Sequence, residues 1–257
     1  MKYGVVQGRL KDEQKDEFQL AAEAGFDGVQ LVFGANNHEQ NVLWTDEGVA
    51  ELKARAAAAG IAIPSVCGGY YNQRGLADHD EALRKSGVDV LLHLIDTCAD
   101  VGMENILIAF FGNGELKEEK QEDYVVEAMA KCAPKAQERD LILALETTLP
   151  AKRFRALVER IDHPFVKIYY DLANPVMWDE NPAEGLDILG DLVDQIHVKD
   201  RGEDDGNVQL GTGRVPYPDV VKAIRKIGYD GWLVLETPAG NDETVENLKF
   251  IKGRMGE

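Results

Sequence analysis

Leu141-Ile142-Leu143-Ala144-Leu145-Glu146 is the stretch on which the fold turns: five apolar residues in unbroken succession, then a carboxylate. A strand with one wet face alternates apolar and polar side chains, whereas an unbroken apolar run is covered on both faces, as in a parallel sheet. The pattern returns downstream in Val166-Lys167-Ile168-Tyr169-Tyr170-Asp171, in Val193 to Ile196 followed by His197, and in Trp232-Leu233-Val234-Leu235-Glu236. Upstream, Tyr3 to Val6, Gly28 to Phe33, Ile61 to Val66 and Ile106 to Ala109 are runs of similar length.

Between these runs lie segments with apolar residues at helical spacing, at 14–24, 46–59, about 81–101, 119–139, 151–160, 182–189, 217–227 and 244–255. Gly25, Gly60 and Gly102 mark helix ends, and Asp46 is placed as an N-cap. Eight strands and eight helices in strict alternation over 257 residues predict an α/β fold, a single (β/α)8 TIM barrel spanning 1–257. A doubly wound open sheet competes with it. That fold calls for Gly-x-Gly-x-x-Gly after the first strand, and Gln7-Gly8-Arg9-Leu10 lacks it.

Charge narrows the function. With 28 Lys plus Arg against 46 Asp plus Glu, the net charge is −18, and no basic cluster offsets it, which argues against a nucleic-acid partner. The longest apolar run, Ile106 to Phe111, falls far short of the roughly 20 residues of a membrane span. Met1-Lys2-Tyr3-Gly4 runs into only two consecutive valines, which predicts no signal peptide. Cys67, Cys98 and Cys132 form neither a disulfide framework nor a Cys-x-x-Cys metal motif, so a reducing cytoplasm is the simplest compartment.

A barrel of this kind works at the C-terminal ends of its strands. Four polar residues stand there on consecutive βα units: Glu146, Asp171, His197 and Glu236. Singly, such an acid is ordinarily a helix cap or a solvated loop residue, and such a histidine a bonded core residue. Together, three carboxylates and an imidazole at one mouth would repel one another unless a cation sat between them. Oxygen-rich ligation with one nitrogen suits one divalent ion, namely manganese, magnesium or cobalt, with zinc also within range.

The runs Ala144-Leu145-Glu146-Thr147, Tyr170-Asp171-Leu172-Ala173-Asn174, Ile196-His197-Val198-Lys199-Asp200 and Leu210-Gly211-Thr212-Gly213 resemble the sugar-phosphate isomerase/epimerase group of xylose-isomerase-like barrels. So do Gly228-Tyr229-Asp230-Gly231 leading to Leu235-Glu236, and the early Gly25-Phe26-Asp27-Gly28-Val29. The resemblance covers essentially the whole chain. It implies that Glu146, Asp171, His197 and Glu236 are the metal ligands and that the two glutamates double as acid and base. A metal holding the carbonyl and hydroxyl oxygens makes the hydrogen beside the carbonyl removable and stabilises the enediolate. Return of the proton to the far face makes an epimerase, and return to the neighbouring carbon an isomerase.

The resemblance also implies a small-molecule, sugar-like substrate and is compatible with a homo-oligomer. Asn174 stands where some relatives carry a substrate-binding histidine. Lys199, Arg201 and Arg9 are candidates for binding a phosphate or carboxylate on the substrate. Tyr70, Tyr71, Phe110, Phe111 and Trp178 are candidates for an apolar pocket wall. Many relatives carry a glutamate at the end of the second strand, where this chain has Gln30-Leu31; the change is expected to leave the four ligands untouched. An alternative reaction is dehydration of an inosose or a dehydroshikimate-like acid through the same enediolate. DNA repair by an endonuclease IV-type barrel is disfavoured, because the third and fourth strand ends read Ser65-Val66-Cys67 and Ala109-Phe110-Phe111 rather than offering further histidines.

Overall fold

In a computed structural model, which describes residues 1–73, 75–238 and 240–256, the alternation becomes β1 (Lys2–Val6), α1 (Glu17–Ala24), β2 (Gly28–Val32), α2 (Asp46–Ala59), β3 (Ser65–Gly68), α3 (Glu81–Val101), β4 (Asn105–Phe110), α4 (Glu119–Glu138) and β5 (Ile142–Thr147). The second half follows with α5 (Ala151–Ile161), β6 (Val166–Asp171), α6 (Pro182–Leu189), β7 (Val193–Val198), β8 (Asp200–Arg201), β9 (Asn207–Val208), α7 (Tyr217–Lys226), β10 (Trp232–Leu235) and α8 (Asn241–Met255). Eight parallel strands close in the order β1-β10-β7-β6-β5-β4-β3-β2, and β8 and β9 form a separate antiparallel pair. The fold is a single (β/α)8 barrel with one small hairpin added.

Strand parity sorts the side chains into two cores. One parity, with Val5, Leu31, Ile106, Ile108, Leu145, Ile168, Ile196 and Leu235, joins the buried faces of the helices in one large cluster. The other parity faces the barrel axis, where Leu107, Ala109, Ala144 and Tyr169 pack together and Val6, Trp232 and Val234 form a second small group. Trp232 fits because Gly4 on the adjacent β1 and Gly28 on β2 beyond it carry no side chain: a Cβ on Gly28 would stand 2.8 Å from the indole ring.

Three local expectations change. Thr45, not Asp46, caps α2; its backbone is extended and its hydroxyl accepts from Gly48 N. The third strand runs Ser65–Gly68 instead of 61–66, because Pro64 has no N–H to give a ladder and only one isolated bridge, Gly28 to Ala62, precedes it. Tyr70, Tyr71 and Phe110 belong to the large outer cluster and are fully buried there, so they do not wall the mouth.

Candidate metal centre and active site

The parity that faces the axis on β5, β6, β7 and β10 delivers Glu146, Asp171, His197 and Glu236 to one side of the mouth, since those four strands are neighbours in the closed order. Glu146, Asp171 and His197 are 5%, 3% and 1% exposed, and one ligand atom from each lies within 4.8 Å of the others. His197 Nδ1 is 3.7 Å from Glu146 Oε1, 4.0 Å from Asp171 Oδ2 and 3.4 Å from Glu236 Oε2. A register shift in the β6–β7 ladder between Ile168 and Tyr169 precedes Asp171, a place where such irregularities re-aim side chains. Asp171 Oδ1 accepts from the backbone N–H groups of Ala173 and Asn174, which leaves Oδ2 facing inward.

Two buried atoms of this group, His197 Nδ1 and Asp171 Oδ2, have no hydrogen-bond partner. Orphans of this kind in a buried cluster require an explanation. Donor atoms 3.4–4.0 Å apart, turned towards a common centre, suit a small hard cation, and the oxygen-rich set with one imidazole nitrogen is its chemistry. The residues therefore fit a divalent metal.

Burial pushes the Glu146 carboxyl up, and His197 opposes that only in part. Burial acts the same way on Glu236, but His197, the Lys199 ammonium and Arg9 outweigh it and hold that carboxyl below its ordinary range. Burial favours the neutral form of His197, and the surrounding carboxylates override it and lift the imidazole. Lys199 behaves likewise.

The other singled-out residues surround this set. Asn174, in the turn after β6, donates through Nδ2 to Glu146 Oε1 at 3.2 Å. Lys199 is 8% exposed and points inward, with Nζ 3.0 Å from Glu236 Oε2 and 3.7 Å from Asp171 Oδ2. Arg9 follows β1 and brings Nη2 to 3.9 Å from Glu236 Oε1; its loop is held by Gly8 N donating to Glu17. Arg201 lines the same cavity as Lys199, opposite Cys67, Ala109 and Phe111, and donates to the Asp205 carbonyl. Trp178 is 56% exposed and lines an adjoining pocket with Asn174.

Sequence reasoning set Gln30 aside from the ligands, and the structure corrects this: Gln30 Oε1 lies 2.8 Å from His197 Nε2. It also passed over Asp200, fully buried, whose carboxylate accepts from the backbone N–H groups of Arg201, Gly211, Gly213 and Val215. The Leu210-Gly211-Thr212-Gly213 run was the available signal, because a Cβ at Gly213 would collide with Asp200 and with the Arg201 carbonyl.

The chain belongs to the xylose isomerase-like TIM barrel family, whose profile matches residues 18–254. It is 29% identical over 225 residues to a 2-epi-5-epi-valiolone 7-phosphate 2-epimerase of Actinoplanes, covering 86% of this chain and 81% of that one. It is 24% identical over 258 residues to the Escherichia coli L-ribulose-5-phosphate 3-epimerase UlaE, covering 94% and 90%. Among solved structures, a D-psicose 3-epimerase from Clostridium cellulolyticum superposes with a TM-score of 0.83 at 18% identity over 99% of both chains. A 3-keto-D-glucoside 4-epimerase from Escherichia coli does so at 0.77 and 18%, over 98% and 99%. At such identities the solved structures speak for the fold. No helix among the described residues is long and apolar enough to cross a membrane.

Proposed function

We propose that the protein is a divalent-metal-dependent epimerase of a keto-sugar or keto-sugar phosphate, held in the cytoplasm, where its three free thiols stay reduced. The observation that carries this is the pair of buried atoms without a hydrogen bond, His197 Nδ1 and Asp171 Oδ2, flanked by Glu146 and Glu236. Manganese, magnesium or cobalt best matches the donor set; held by Glu146, Asp171, His197 and Glu236, such an ion would supply the Lewis acidity that makes a C–H beside a substrate carbonyl removable. The relatives named as a 2-epi-5-epi-valiolone 7-phosphate 2-epimerase and an L-ribulose-5-phosphate 3-epimerase support the reaction class.

The protein's own groups supply the proton transfers. Glu146 and Glu236 come from β5 and β10, with β6 and β7 between them in the closed sheet, so they reach the substrate from different sides. One carboxylate removes the proton beside the carbonyl, and the other acid returns a proton to the far face, which inverts the carbon and leaves the molecular formula unchanged. Asn174 steadies Glu146 by its hydrogen bond. Lys199 is engaged by Glu236 and Asp171, and Arg201 beside it on the cavity wall is the cation placed to meet a substrate with an anionic end.

The test is turnover of keto-sugars and their phosphates in deuterated water, followed by NMR, for wild type, Glu146→Gln and Glu236→Gln. The wild type should yield the epimer with deuterium at the inverted carbon, and each variant should lose about 10²–10⁴-fold in rate. Retained turnover in both variants overturns the acid–base pair. A product lighter by one water and absorbing as an enone assigns elimination in place of epimerisation.

A further inference from the structure

Gln30 lies on β2, across the barrel from His197, and is fully buried. Its Oε1 is 2.8 Å from His197 Nε2, while its Nε2 donates to Ser65 Oγ and to the Tyr169 hydroxyl, each at 2.9 Å. Ser65 Oγ in turn donates to Gln195 Oε1 at 3.0 Å. The Tyr169 ring packs on the imidazole with centroids 4.4 Å apart, which fixes the plane of His197. Four strands, β2, β3, β6 and β7, thus contribute to one buried polar relay beneath the carboxylates.

The relay has a direction. A primary amide offers two N–H donors and one acceptor oxygen, and a serine hydroxyl has one hydrogen to give. Ser65 gives its hydrogen to Gln195, so towards Gln30 it accepts. Both Gln30 N–H groups are spent on hydroxyls, and only the amide oxygen is left for the ring. An acceptor placed against Nε2 requires the proton to be on Nε2, and in the neutral ring the lone pair is then on Nδ1, the atom without a partner that faces Glu146, Asp171 and Glu236.

We propose that Gln30 is a positioning residue that holds His197 in its Nε2–H tautomer and so keeps Nδ1 available as a ligand. The consequence for metal rests on the metal reading of the site; the tautomer does not. An uncharged amide performs this task without adding a fourth carboxylate to the buried cluster, and outer partners of metal-binding histidines are typically worth 10–100-fold in affinity.

The test uses the metal-free protein labelled with ¹⁵N in histidine, at an alkaline pH where the imidazole is neutral, with the His197 resonances identified by their loss in His197→Gln. Wild type, Gln30→Leu and Gln30→Glu are compared, and manganese and cobalt affinities are measured by chelator competition. Wild type should carry the proton on Nε2. Gln30→Leu should show a mixture of tautomers and bind metal about 10–100-fold more weakly, whereas Gln30→Glu, which keeps an acceptor, should retain the tautomer and bind within a few-fold of wild type. If Gln30→Leu fails to fold, Ser65→Ala frees the amide to turn without touching the ring, and is expected to give a mixture as well. A proton on Nδ1 in wild type, from a reversed relay that would give Gln195 Nε2 the partner it lacks, overturns the proposal. So does wild-type tautomer and affinity in Gln30→Leu. A wild type that keeps the Nε2 proton but binds neither ion removes the metal reading and leaves the positioning role intact.

Discussion

Glu236 and Asp194 are shielded acids at opposite ends of the barrel, and their surroundings differ in kind. Glu236 lies beside Lys199, His197 and Arg9, which together outweigh its desolvation. Asp194, at the start of β7, is pushed up by burial and by the charge of Glu104, against which the 2.6 Å hydrogen bond from Asn105 Nδ2 and the more distant Lys167 act only in part. The unfolded chain ionises Asp194 near 3.8, whereas the folded protein keeps the proton to higher pH, so stability falls as pH climbs from that value through the raised one. Asp194→Asn cannot ionise and can still accept from Asn105. The variant is therefore expected to melt above wild type at pH 7, with the gap closing below pH 3.8; paired thermal melts at the two pH values check this, and a lower melting temperature at pH 7 would contradict it.

At the scale of elements, the connection from β7 to α7 is gathered around one buried side chain, with Asn247 accepting from Leu210 N and Arg214 donating to the Gly202 carbonyl. Asp200 gathers four backbone N–H groups between Arg201 and Val215, which makes the β8–β9 hairpin and fixes the segment bearing Arg201 and Arg214. Asp200→Ala leaves those amides without an acceptor, a loss of about 1–3 kcal/mol for each that stays buried. Hydrogen exchange over residues 201–215 should speed up on the order of a hundredfold, the factor that about 3 kcal/mol represents, while β4 and β5 stay protected. Exchange unchanged in that segment would show that the loop is held by something else. Long periodic elements were legible from sequence, and α2, α3, α6 and β10 have the bounds that their patterns predict. The hairpin was not, because two-residue strands have no periodicity and exist through a side chain's bonds. β3 was misplaced because Ile61 and Ile63 are buried without being laddered. The four strand-end residues were legible because period two and strand order suffice to place them. Gln30 was not, since its contact with His197 crosses the barrel between strands that are neither sequential nor paired.

For the whole molecule, the four candidate ligands tie together one contiguous half of the sheet, β10-β7-β6-β5, and leave β1, β2, β3 and β4 without a ligand. An ion bound there couples the closure of that half to its own concentration, because a ligand that binds only the folded state stabilises it by mass action, about 2.7 kcal/mol at a hundredfold excess over Kd. In a chain of this size about 1 kcal/mol shifts the melting temperature by roughly 2–4 °C, so manganese or cobalt at that excess should raise it by about 5–10 °C over the chelator-treated protein. Magnitude alone would not locate the site, but exchange would. Amides at the C-terminal ends of β5, β6, β7 and β10 should gain protection on metal addition, and those of β2 to β4 should not. Protection spread evenly around the barrel, or no shift at saturating metal, would mean that these carboxylates do not share an ion.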